Sequence, residues 1–96
     1  MRAISMKPGK EPTEIVIRND LKLFQQLVGG WIETVTIDNI VIICNEEGRI
    51  YGLPHCATIA GIDFVGDLVI VGVKGENFAD CPITVEKFKQ RDLGGE

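Results

Sequence analysis

Ninety-six residues, 45% hydrophobic and 25% charged, suit one globular domain with a single modest core and exclude the disordered and fibrous classes. The longest unbroken apolar runs are five residues or fewer, as at 40–44, too short to span a bilayer. The formal charge of −4 is concentrated in residues 33–80, with eight acidic and two basic side chains; such a segment repels phosphate backbones and disfavours direct nucleic-acid binding.

In chain order, residues 2–6 form a short apolar strand, and Lys7-Pro8-Gly9 with Pro12 makes turn chemistry. Residues 14–18 are β-branched and predict a second strand, hairpin-paired with the first. Asn19 or Asp20 can cap a helix over 21–28, with Leu21, Phe24, Leu27 and Val28 as its apolar stripe and Gly29-Gly30 as its stop. Residues 31–37 read as a strand, Asp38-Asn39 as a two-residue turn, and 40–44 as a strand apolar on both faces, hence central in its sheet. Asn45-Glu46-Glu47-Gly48 is a tight turn. The pattern then predicts a returning strand over 49–53, an irregular stretch at 54–58, and strands over 59–65 and 68–73 around Gly66-Asp67. A loop over 74–80 leads to a last helix at 85–91 capped by Thr84, and residues 92–96 are expected to fray. The fold class is α+β: one small domain over 1–96, mostly antiparallel sheet, with two short helices on one face.

Residues 43–56 hold two of the three cysteines and the only histidine. Cys44, His55, Cys56 and Cys81 are the complete set of soft ligands, and four is the count of a closed zinc site, so zinc is the candidate cofactor. Their spacing matches none of the usual paired knuckles. Neighbours such as His55 and Cys56 could both ligate only from a turn, and Cys44 equally fits a small core residue. A thiol enzyme would also use Cys and His, but no nucleophile–base–orienter pattern is present, and no enzyme is predicted. Glu46 and Glu47 read as solvated turn carboxylates, whereas Asp63 and Asp67 lie on or beside apolar strands, where one could face inward; with the strand aromatics Trp31 and Tyr51 these four form a candidate partner-binding set. An odd cysteine number, with no apolar run after Met1-Arg2, predicts no secretory signal and a reducing cytosol.

Pro8-Gly9 with Pro12, the run LVGGWIE at 27–33, CNEEG at 44–48 and GLP at 52–54 resemble a family of small domains of unknown function. That family is found in phages and integrative elements of Gram-positive bacteria. The resemblance covers most of the chain. It departs where the family continues GLP with a residue and Asn-Arg, whereas this sequence has His55-Cys56-Ala57, and in a shorter middle segment.

The resemblance implies no enzymatic activity. Its genomic company, with the small size and acidic charge, implies a counter-defence protein similar to type II anti-CRISPR proteins. Such a protein would inhibit a host nuclease of the Cas9 type in the bacterial cytoplasm by protein–protein binding. Alternatives are a sponge for a nucleotide signal and a zinc-stapled structural module. The sequence does not indicate an oligomeric state.

Overall fold

The computed structural model describes residues 1–93; residues 94–96, part of the tail expected to fray, lie outside them. The chain runs β1 (Arg2–Met6), β2 (Thr13–Val16), α1 (Leu21–Val28), β3 (Ile32–Ile37), β4 (Ile40–Asn45), β5 (His55–Ile59), β6 (Ile62–Val65), β7 (Leu68–Lys74), β8 (Asn77–Ala79) and α2 (Val85–Asp92). Every strand pair is antiparallel. The main sheet has the order β2-β1-β7-β4-β3, with β8 also paired to β7, while β5 and β6 form a separate two-stranded ribbon. The α+β class holds.

The centrality expected of the 40–44 strand follows from its unbroken apolar run. All six residues of β4 are buried, because five successive apolar residues put apolar side chains on both faces of the pleat and need cover on each side. Ile40, Ile42 and Cys44 join a core containing Ile4, Ile70, Ala57, Ile59, Phe64 and Phe88. Val41 and Ile43 join a second core with Ala3, Phe24, Val28, Val69 and Val71. The β5–β6 ribbon and α2 therefore cover one face and α1 the other. This corrects the expectation that both helices share a face.

Both helices start as read. Asp20 accepts a hydrogen bond from the Lys22 amide, and Thr84 accepts one from that of Lys87. In α1 the stripe holds at Phe24 and Val28, which are buried, and at Leu27, which is half-buried against the same core, while Leu21 is left exposed. Phe24 meets Phe78 edge to face, ring centres 5.4 Å apart. That contact explains why 77–79, read as loop, forms β8: pairing with Gly72–Lys74 carries Phe78 to the α1 side.

Three further expectations fail. Residues 49–53 contain turns and no strand; β5 runs over His55–Ile59, across the 54–58 stretch expected to be irregular; and the strand expected over 59–65 is broken at Ala60-Gly61, both at positive φ, so that β6 starts only at Ile62. In β5 the register shifts between His55 and Ala57, a bulge that leaves Cys56 as the extra residue.

Candidate partner-binding surface

The segment from the end of α1 into β3 meets the loop after β4, and one side chain organises that meeting. Asn45 is the one buried polar residue among those described. Its Nδ2 donates to the Val28 carbonyl at 3.1 Å, and its Oδ1 accepts from the Glu47 amide at 2.8 Å. Both ends of the amide are used, as burial requires.

Around it the backbone closes on itself. Gly29 ends α1 in the left-handed region (φ 83°), and the amides of Gly29 and Gly30 both donate to the Gln25 carbonyl. A Cβ on Gly30 would lie 3.0 Å from Asn45 Nδ2, so the small residue keeps this crossing tight. The Glu46 amide then donates to the Trp31 carbonyl at 2.8 Å.

The loop continues through reverse turns. Amides of Gly48, Tyr51, Gly52 and Leu53 donate to the carbonyls of Asn45, Glu47, Arg49 and Gly48. Those bonds satisfy the backbone locally, leaving no ladder for a strand over 49–53.

The consequence is a pair of exposed aromatic rings on one rim. Trp31 is 68% exposed and Tyr51 67%. Together with Gln25, Gly29, Gly30 and Glu47 they line a groove of about 350 Å³. Tyr51 Oη donates to Glu47 Oε1 at 3.3 Å, tying ring and carboxylate.

On the other side of the loop lies a second groove, of about 260 Å³, whose lining includes Glu33, Glu46, Arg49, Ile50, Ile62 and Asp63. The Arg49 guanidinium donates to the Asp63 carbonyl oxygen. The hydroxyl of Thr58 donates to the Asp63 carboxylate and, with His55 beside it, holds that carboxyl below its ordinary range. Of the six candidate contact residues, Trp31, Tyr51 and Glu47 thus share one groove, and Glu46 and Asp63 share its neighbour. Asp67 stands apart, paired with Lys7 at 3.2 Å.

The four soft ligands are distributed differently. Cys44 and Cys81 are buried in the core beneath the β5–β6 ribbon, and Cys56 packs against the same cluster from its bulge. Burial pushes the thiols of Cys44 and Cys56 up to about 11, with Glu33 and Asp67 respectively adding to it, and burial also raises that of Cys81. Thiols so placed are neutral packing groups at neutral pH and poor nucleophiles. His55 is exposed; its Nε2 lies 3.2 Å from Thr58 Oγ1 and 3.5 Å from Asp63 Oδ1. Among the described residues, no three His, Cys, Asp or Glu side chains gather as a metal-holding group.

Sequence reasoning did not single out Asn45, Gln25, Ile50 or Ile62. Asn45 had a local signal, an Asx residue opening a Glu-Glu-Gly turn, but its second bond, to Val28, is seventeen residues away. Ile50 and Ile62 fall in stretches with strand propensity, where alternation gives no sign that their side chains stand exposed.

Among the described residues no helix is long and apolar enough to cross a membrane. No curated protein and no solved structure matches the chain. A family model described as "Domain of unknown function (DUF3846)" matches residues 1–92, so the chain belongs to that family.

Proposed function

We propose that this domain is a non-enzymatic binding module that captures a partner protein through the rim carrying Trp31, Tyr51 and Glu47. The observation that carries the reading is the meeting of two exposed aromatic rings with a carboxylate beside one shallow groove. Aromatic side chains concentrate binding energy at protein interfaces, and here two of them line one groove with their rings mostly exposed. The neutral, buried or half-buried thiols favour binding over nucleophilic chemistry.

The narrower form of the proposal names the partner as a host defence nuclease of the Cas9 type. Its supports are the sequence resemblance to mobile-element proteins and the acidic 33–80 segment, which suits a basic channel built for nucleic acid. The domain would occupy such a channel and block DNA access. Co-purification with Cas9 and loss of DNA cleavage at excess domain test this form; no complex at micromolar concentration rules it out. The broader reading is tested by capture from host lysate with wild type and with Trp31→Ala/Tyr51→Ala as bait. Proteins retained by the first and lost by the second support it, and equal retention contradicts it.

A further inference from the structure

β3 is one edge of the main sheet, and it lacks the usual protection of an edge. Six residues long, it carries Glu33 as its one charge and contains no proline. The opposite edge, β2, has four residues and follows Pro12.

The register shows which groups of β3 are free. The Glu46 amide bonds the Trp31 carbonyl, and β3 pairs in register from Ile32↔Asn45 to Ile37↔Ile40. Trp31, Glu33, Val35 and Ile37 therefore turn their backbone polar groups toward β4. Ile32, Thr34 and Thr36 turn theirs outward, to the open edge.

Side chains give the edge a chemical preference. Glu33 and Val35 line the 260 Å³ groove with Glu46, Asp63, Ile50 and Ile62. Ile50 is 80% and Ile62 42% exposed. Arg49 is the groove's one cation among the described residues, and its guanidinium is engaged by the Asp63 carbonyl. A strand added outside β3, about 4.8 Å away, would bring alternate side chains alongside this groove. Three carboxylates against one occupied guanidinium, beside bare isoleucines, fit a segment that mixes basic and apolar residues.

We propose that the free edge of β3 takes an extended basic segment of a partner protein as an added strand, its lysine or arginine side chains laid against Glu33, Glu46 and Asp63. Main-chain bonds to Ile32, Thr34 and Thr36 supply affinity, and the groove supplies selectivity. Self-pairing of two β3 edges is disfavoured, because each copy would bring the same carboxylates to the seam. The inference rests on the reading of the domain as a protein-binding module and states the mode of that binding.

Thr34→Pro tests it. The Thr34 amide points outward, so proline there removes an edge donor without breaking the β3–β4 ladder. The probe is an N-acetylated peptide alternating lysine with valine, titrated into ¹⁵N-labelled domain and followed by amide shifts.

Saturable shifts at Ile32, Thr34 and Thr36 are expected in the wild type, with binding at least tenfold weaker in Thr34→Pro and absent for a glutamate–valine peptide. If Thr34→Pro fails to fold, the same peptide N-methylated at alternate residues carries the test, and it must bind the wild type at least tenfold more weakly. Undiminished binding in either case, shifts confined to Trp31 and Tyr51, or dimerisation of the free domain through β3 would overturn the proposal. Capture of a protein partner that depends on Trp31 and Tyr51 but survives Thr34→Pro would overturn strand addition alone and leave the binding reading standing.

Discussion

Asn45 spans three elements with one amide, and its removal should be felt in both folding and binding. Asn45→Ala leaves the Val28 carbonyl without this donor and the Glu47 amide without its acceptor, in a buried position. A loss of about 1–3 kcal/mol in urea unfolding is expected, with weaker partner capture because the loop bearing Glu47 and Tyr51 loses its anchor. Asn45→Asp is informative beside it: an acceptor remains for Glu47, but the donor to Val28 is gone.

The cysteines give a second prediction at this scale. Cys44 and Cys56 titrate near 11 in the folded chain against an ordinary 9.0. Between those values the unfolded chain releases protons that the folded chain retains, so stability falls as pH rises from about 9 toward about 11. Thermal melts across that range should show a declining midpoint, and Cys44→Ser/Cys56→Ser should flatten the decline. Elemental analysis of protein purified without a metal-affinity tag is expected to give a zinc-to-protein ratio near zero. A ratio near one would require the Cys81 and His55 surroundings to rearrange.

Buried side chains hold the helices to the sheet, and caps fix where they start. Phe88 is the one fully buried residue of α2 and sits in the core under the ribbon. Phe88→Ala should cost about 3–5 kcal/mol in chemical denaturation. Asp20→Ala, which removes only the α1 cap, should cost about 1 kcal/mol.

The contrast between these elements explains what the sequence could reveal. Both helices were legible because their start signals are local, an Asx or Thr cap followed by apolar spacing. β4 was legible because an all-apolar strand admits no exposed face. The 49–53 stretch misled for the opposite reason. Arg-Ile-Tyr-Gly-Leu has strand-like propensity, but Asn45, bonded to α1, bends the preceding turn, and successive amides then close locally. β5 was missed because Pro54 suggested irregularity, whereas pairing with β6 across a bulge needs only the partner strand. Which helix covers which face was not legible either, since each amphipathic stripe is satisfied by either side of a two-faced sheet.

Over the whole molecule, the contact features lie along one border of the main sheet. The β3 edge runs from Trp31 toward the Asp38-Asn39 turn, and the loop over 46–53 stands beside it with an aromatic groove on one side and an acidic one on the other. The six proposed contact residues were nameable from composition and position. Their division into two grooves, with Asp67 elsewhere, was not, because it depends on the path of a loop whose bonds reach across the sheet. An acidic border implies that partner capture weakens with salt through slower association, while the aromatic contribution persists. Binding measured from low to high ionic strength should therefore decline and level off above zero.

The aromatic rim and its partner are tested together by calorimetric titration of a purified Cas9-type nuclease with the wild-type domain and with Trp31→Ala/Tyr51→Ala, each confirmed folded by its melting profile. Saturable binding by the wild type is expected, with at least a thirtyfold loss in the double variant, about 2 kcal/mol. Equal affinities would contradict the proposed surface, and no binding by either would contradict the proposed partner.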